Sequence, residues 1–355
     1  MAEKFGIYIH WPFCERKCPY CGFFSEANPN IDQTKIIKDY LSDIDYYHSL
    51  TTDKTVTSIF FGGGTPSLIK PHNIETLLNH IHKRWKTTPQ IEISLEANPN
   101  SLNAKDLKTA GINRLSLGVQ SLRDDDLKFL GRIHNRHQAL KAIDSVLKTF
   151  DNHSMDLIYA RPNQTTKNWQ EELSEAVNFG FKHLSLYQLT IEENTPFYQK
   201  NIKSLDDASS ANLYNFTEQF LKAKEYERYE VSNHAQKGFE SQHNLTYWQG
   251  WDYIGIGPSA HGRIGLQATS HPRKLEALSQ KERATELLLM GLRLKKGIDK
   301  ETFQTQCGLN FNTFINQKNK QMLIDLKLIT DNKKSLRLTA KGFPVLDKII
   351  ENLLS

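Results

Sequence analysis

Apolar residues follow two alternating spacings through the first half of the chain. Short runs rich in β-branched and aromatic residues predict strands at 5–10, 56–61, 91–97, 114–119, 155–159 and 183–189. Between them, apolar residues three or four apart predict helices over 35–50, 74–85, 104–110, 137–150 and 169–179. In 35–50, for example, Ile36, Ile37, Tyr40, Leu41, Ile44 and Tyr47 fall on one helical face. Six strand–helix units in regular order imply a parallel β/α architecture with right-handed crossovers. A closed eight-unit barrel takes about 250 residues, and here the alternation fades near residue 190. The expected fold class is therefore α/β: a partial (β/α)6 barrel.

Beyond residue 200 the pattern loosens. A helix is expected over 211–223, an extended segment at 229–233 and a glycine-rich turn at 254–262. From residue 281 a new unit begins. It has helical spacing at 287–294 and 322–328, then a hairpin pairing 328–330 with 336–338. Helix followed by hairpin is winged-helix-like. The expected division is 1–200 for the barrel, 201–280 for an irregular segment covering it, and 281–355 for a small α+β domain. No internal repeat or low-complexity stretch interrupts this order.

Composition narrows the class. With 38% hydrophobic and 24% charged residues, the 355-residue chain suits a globular protein with a substantial core. No secretory signal opens it, and no apolar run approaches the ~18 residues of a membrane helix. A cytoplasmic location is expected. The formal charge of +5 is uneven, since residues 281–355 hold 14 Lys+Arg against 8 Asp+Glu. Such a tail can meet nucleic acid or an anionic surface, but no run of five like charges occurs, so a solvated domain without a nucleic-acid partner is expected.

The chemistry concentrates in His10-Trp11-Pro12-Phe13-Cys14-Glu15-Arg16-Lys17-Cys18-Pro19-Tyr20-Cys21-Gly22-Phe23. Three of the four cysteines lie here, spaced C-x3-C-x2-C, and the fourth is Cys307. Three thiolates make a metal site one protein ligand short. Iron–sulfur clusters usually take four Cys, so a cluster held by three leaves one iron open. A structural zinc ion wants four ligands, and His10 or Cys307 could complete one. A disulfide framework does not fit this clustering.

The cysteine spacing, followed by an aromatic residue, resembles the radical S-adenosylmethionine (SAM) superfamily. That resemblance implies a [4Fe–4S] cluster on Cys14, Cys18 and Cys21, with SAM on the fourth iron. The remaining candidates end predicted strands, the face on which barrel enzymes build their sites. Gly62-Gly63-Gly64-Thr65-Pro66 follows the second strand and lacks both the phosphate-loop and the dinucleotide pattern. By resemblance, Gly63, Gly64 and Thr65 contact the methionyl amine of SAM. Glu96, Gln120 and Asp156 end strands three to five, and Arg132 lies in a following loop. With Tyr8 they match the SAM-contacting positions of the coproporphyrinogen-dehydrogenase branch. Read from the residues alone, Asp156 and Arg132 serve equally well in a structural ion pair, and Tyr8 as packing.

Three further stretches resemble a narrower group, the HemW heme chaperones: Tyr229-Glu230-Val231-Ser232-Asn233, His243-Asn244-Leu245-Thr246-Tyr247-Trp248, and Gly255-Ile256-Gly257-Pro258-Ser259-Ala260-His261-Gly262. The H-N-x-x-Y-W motif is associated there with heme. A neutral His243 imidazole suits heme iron, and Tyr247 and Trp248 offer flat surface to a porphyrin. The competing reading makes His243, Asn244 and Trp248 a buried hydrogen-bonded corner. His234 and His261 are further candidates, for which structural roles are expected.

The dehydrogenases carry C-x3-C-x2-C-x-C and an N-terminal extension. Here Phe23 holds the last position and Cys14 comes too early for the extension. The resemblance therefore implies a chaperone with cluster, SAM and heme that passes heme to an acceptor protein and meets a membrane only through that acceptor. The alternatives are oxidative decarboxylation of coproporphyrinogen III by radical SAM chemistry, with enzyme activity left open by Phe23, and a radical SAM enzyme acting on RNA.

Overall fold

The computed structural model describes residues 3–28 and 31–355. β1 (Phe5–Trp11), α1 (Gln33–Leu50), β2 (Thr55–Gly63), α2 (Pro71–Arg84), β3 (Lys86–Ala97), α3 (Ala104–Thr109), β4 (Arg114–Gln120), α4 (Arg136–Thr149), β5 (Asn152–Tyr159), α5 (Thr166–Asn178) and β6 (His183–Gln188) follow in the expected alternation. A short extra helix, Asp124–Phe129, precedes α4. β1 to β6 pair in parallel and in sequence order, forming a partial barrel.

Strand alternation decides what each barrel face holds. Phe5, Ile7, Ile9 and Trp11 of β1 point outward and are buried with Ile37, Tyr40, Ile44 and Tyr47 of α1. Ile93 and Leu95, Leu115 and Leu117, and Met155 and Leu157 do the same on β3 to β5. Burying one such aliphatic side chain contributes roughly 1.5–3 kcal/mol. The intervening residues face the lumen and are largely polar. Ser58, Glu92, Ser94, Glu96, Arg114, Ser116, Ser154, Asp156 and Ser185 occupy these positions. A barrel lined this way has an apolar shell and a polar inside, and the inside is where chemistry can be held.

The segment 201–280 does more than cover the barrel. After α6 (Asp207–Lys222), β7 (Asn233–Ala235) pairs antiparallel with β6. Beyond α7 (Gln242–Trp248), β8 (Asp252–Ile256) pairs parallel with β1 on its free side. Three antiparallel strands, His261–Ile264, Gln267–Ser270 and Lys274–Ala277, continue outward to a twelve-stranded sheet. The expected turn at 254–262 thus begins as a strand. Gly255 serves close approach within the strand, and the turn itself starts at Gly257, φ +92°, whose carbonyl accepts the Ala260 amide at 3.1 Å. A Cβ on Gly255 would lie 2.4 Å from the His261 carbonyl oxygen, and one on Gly257 2.8 Å from that of His10.

The C-terminal unit has a core of its own, built on Leu288, Leu292, Phe303, Leu336 and Ile349. α8 (Gln280–Gly291) starts earlier than its apolar spacing predicts, because Ser279 and Glu282 form a capping box. Asn316 likewise caps the helix Gln317–Asp325 ahead of the expected 322–328. The hairpin Ile329–Asp331/Ser335–Leu338 forms, joined by Ile298–Asp299, which gives the winged-helix-like outline. Arg228 ties the two cores together, its guanidinium 3.7 Å from the centre of the Phe343 ring.

Candidate functional site

β1 leads directly into the cysteine loop. Phe13–Cys14 pairs with Glu26–Ala27, so the loop between them is closed at its stem. Inside it the Cys21 amide donates to the Cys18 carbonyl at 3.1 Å, turning the chain so that all three cysteines border one cavity. That cavity measures about 580 Å³ and opens at the C-terminal end of the strands. Gly63, Gly64, Thr65, Glu96, Gln120, Arg132 and Asp156 line it as well. Ten of the twelve expected site residues are therefore brought together there.

The glycines have a more specific role than access to a ligand. The Gly64 amide donates to the Trp11 carbonyl at 2.7 Å, and that of Thr65 to Phe13 at 2.9 Å. A Cβ on Gly64 would sit 2.7 Å from the Phe13 oxygen, and one on Gly63, where φ is +113°, 2.6 Å from the His10 ring. The glycine run lets the end of β2 lock against the stem of the cysteine loop.

The polar groups around the cavity are arranged in linked pairs. Glu96 accepts the Gly63 amide at 3.2 Å. Burial, reinforced by the Asp156 charge, pushes its carboxyl up to about 8. Asp156 accepts from Ser116 at 3.0 Å, and burial raises it too. Arg132 donates to Cys18 Sγ at 3.3 Å and to the Gly118 carbonyl at 3.3 Å, and it also bonds Asn98. Gln120 has a left-handed backbone, φ 68°, and its buried Oε1 has no hydrogen-bond partner among the described residues. A polar atom so placed suits a ligand in the cavity. Among the described residues neither Arg132 nor Asp156 is in an ion pair: Arg132 bonds sulfur, amide and carbonyl groups, and Asp156 bonds the Ser116 hydroxyl.

Two residues that the sequence left unassigned belong to this cavity. Asn98 links Arg132 to Thr65, donating to Thr65 Oγ1 at 3.1 Å. Tyr187 keeps 44% of its surface exposed, facing the cavity from β6. The inward alternation of β6, shared with Ser185, was the available signal for Tyr187. Asn98 had none beyond its place after β3.

Neither proposed completion of a zinc site is at hand. His10 is engaged at both ring nitrogens, with Tyr8 Oη at 2.9 Å and the Phe24 carbonyl at 3.0 Å. Cys307 is buried in the C-terminal core. Among the described residues, no three His, Cys, Asp or Glu side chains converge on one metal ion. Thiols spread along a cavity wall suit a polynuclear cluster, in which each iron takes its own thiolate. Burial raises the Cys14 and Cys21 thiols, and bound metal would draw off those protons.

Tyr8 and His243 stand outside the cavity lining, deeper in the barrel. His243 is 3% exposed, with Nδ1 3.1 Å from Ser58 Oγ. Phe60 and Tyr8 stack on its ring at 5.1 and 6.3 Å, and Tyr247 meets it edge-on at 5.9 Å. Burial, with the Arg114 charge behind it, lowers its pKa to about 3, so the imidazole is neutral. Glu92 accepts the His243 amide at 3.2 Å and the Ser241 hydroxyl at 3.3 Å, fixing the start of α7 inside the barrel. Asn244 reaches the Tyr229 hydroxyl at 3.4 Å, and Tyr229 in turn lies 2.9 Å from His183 Nε2. The hydrogen-bonded corner therefore describes His243 and Asn244 in this conformation. Trp248 is held apart from it under the Arg293 guanidinium, 4.7 Å away.

Comparison with known proteins gives this geometry a family. The radical SAM superfamily matches residues 8–176 and the HemN C-terminal domain residues 278–345. Heme chaperone HemW of Haemophilus influenzae is 35% identical, over 99% of this chain and 98% of its own. This chain belongs to the HemW family of radical SAM proteins. The HemW of Escherichia coli is 38% identical over 76% of this chain and 74% of its own. The mitochondrial radical SAM domain-containing protein 1 of Bos taurus is 32% identical over 100% and 88%. The HemW fold is shared by Escherichia coli coproporphyrinogen III oxidase HemN, with TM-score 0.82 at 21% identity over 99% of this chain and 90% of that one. Phe23, where the dehydrogenase motif has its fourth cysteine, is 71% exposed at the cavity edge.

Proposed function

We propose that this chain is a heme chaperone that carries a [4Fe–4S] cluster on Cys14, Cys18 and Cys21, takes SAM into the adjoining cavity, and delivers heme to an acceptor protein. The observation that carries the reading is the meeting of three thiols, a glycine turn and a polar set on one cavity, in a chain aligned over nearly its full length with relatives named heme chaperone HemW. Cys14, Cys18 and Cys21 would hold the cluster, which when bound would supply single electrons to a sulfonium cofactor in the cavity. The residues around it have separable tasks. Arg132 holds the Cys18 sulfur by its N–H. Asn98 and Thr65 carry the cavity wall on from Arg132. Glu96 and Asp156 give an ammonium group two carboxyls to approach, and its charge would favour their ionised forms. Gln120 Oε1 is free to accept from the same ligand.

Heme is the cargo, with His243 as the proposed iron ligand. The neutral ring is in its ligating form. Tyr8, Phe60 and Tyr247 enclose it, so ligation requires these rings to part. Hemin titrated into the purified protein should give a shifted Soret band saturating at one heme per chain, and His243→Ala should weaken it. Normal binding by a folded His243→Ala protein would remove His243 from the heme site. Anaerobic incubation with coproporphyrinogen III, SAM and a reductant should yield no protoporphyrinogen. Turnover would replace this reading with the dehydrogenase.

A further inference from the structure

Trp248 ends α7 and turns away from the hydrogen-bonded corner, which Tyr247 joins by donating to Asn244 Oδ1 at 3.1 Å. Arg293, just past α8, lays its guanidinium over the Trp248 ring. Both side chains are half-buried. Stacking orients the two groups but gives neither N–H an acceptor. The buried Arg293 Nε and the buried Trp248 Nε1 have no hydrogen-bond partner among the described residues. Two such donors on stacked groups mark a place for an acceptor.

The surrounding carboxylates do not supply it. Glu286 accepts from Arg263 at 2.9 Å and from Arg283 at 3.3 Å. Glu230, which bridges to Leu294 beside Arg293, accepts from the Ser232 amide at 2.8 Å and the Asn233 side chain at 2.7 Å. Arg293 is thus a cation without a carboxylate among the described residues. Tyr247 connects it to the proposed heme ligand, its ring 4.7 Å from Trp248 and 5.9 Å from His243. Heme carries its iron at the centre and two propionate carboxylates on one edge. A heme site therefore needs cationic donors set apart from the iron ligand. We propose that Arg293 and Trp248 form the seat of a heme propionate, their two orphan N–H groups donating to its carboxylate oxygens. An arginine N–H on a carboxylate is a charge-assisted bond, stronger than a neutral one. Half-buried, it is screened less by water than a surface pair. The inference rests on the heme reading above.

The probes are hemin and hemin dimethyl ester, which keeps the iron and the ring but has no carboxylate charge. Each is titrated into the purified protein in the same non-ionic detergent and followed at the Soret band. The wild type should bind hemin about tenfold more tightly than the ester. Arg293→Met should bind hemin about tenfold more weakly and the ester as the wild type does, so that the preference disappears. Arg293→Lys should fall between the two. Trp248→Phe, which keeps a ring and removes the N–H, should lose part of the preference, and it carries the test if Arg293→Met does not fold. A wild type that binds both porphyrins equally, or a folded Arg293→Met that still prefers hemin, overturns the propionate seat and leaves the heme reading standing. A wild type that binds neither overturns the heme reading, and this inference with it.

Discussion

Glu96 offers the sharpest physical test of the barrel interior. Its carboxyl titrates near 8 rather than at the ordinary 4.5, first because it is buried and then because Asp156 lies near it. Between those two values the unfolded chain has released this proton and the folded chain has kept it. The unfolded state therefore binds fewer protons, and stability falls as pH rises through the window. The full separation corresponds to about 5 kcal/mol at 1.36 kcal/mol per pH unit. The buried histidines act with the opposite sign. His134 and His153, lowered to about 4, and His243, lowered to about 3, cost stability as pH falls through their usual 6.5. Their contribution runs on above pH 6.5, but it is common to the wild type and Glu96→Gln, so the difference between the two proteins from pH 6.5 to 8 reports Glu96 alone and amounts to about 2 kcal/mol. Glu96→Gln keeps an acceptor for the Gly63 amide and removes the titration. Urea unfolding of the metal-free proteins should show wild-type stability falling by that amount across this range relative to the variant. A protonated-carboxyl infrared band should persist at pH 7 in the wild type and lose intensity in Glu96→Gln. Parallel stability curves, or a band gone by pH 6, would refute a buried, neutral Glu96.

Gly64→Ala should push the glycine turn off the cysteine stem, at a cost of about 1–3 kcal/mol for overpacking, and iron and sulfide content after reconstitution should drop with it. Full loading would mean the turn is not needed to shape the loop. Arg161→Met strands Glu172 and Asp126, which bond the guanidinium at 2.6 and 2.9 Å, so about 3–5 kcal/mol of stability should be lost. Adding Glu172→Gln should restore much of it, and a double variant no more stable than the single would refute the pairing. His243→Ala should cost about 2–4 kcal/mol by opening a hole among Phe60, Tyr8 and Tyr247, measured as a lowered urea midpoint. An unchanged midpoint would mean the ring is not packed there.

The alternation of β1 to β6 with α1 to α5 was legible because burying one strand face and one helix stripe leaves a local, periodic mark on the sequence. The cysteine loop was legible for a similar reason: C-x3-C-x2-C is a short-range spacing, and its proposed ligand set needs no distant partner. β8 was not, since Gly255 looks like part of the turn that follows until His261 is seen pressed against it. Nor was Asn98, whose place depends on Thr65 and Arg132, far away in the chain. Where the two candidate completions of a zinc site stand could be read only in space, with Cys307 in another core and His10 bonded at both nitrogens. The setting of His243 was likewise a matter of packing. The motif announced a histidine with Tyr247 one turn on, but Tyr8 from β1 and Ser58 and Phe60 from β2 arrive from far away in the chain to enclose it. Local periodicity and spacing determined the elements and the thiol trio. Burial, charge state and access were decided by long-range contacts, because desolvation depends on every atom that surrounds a group and not on its neighbours in sequence.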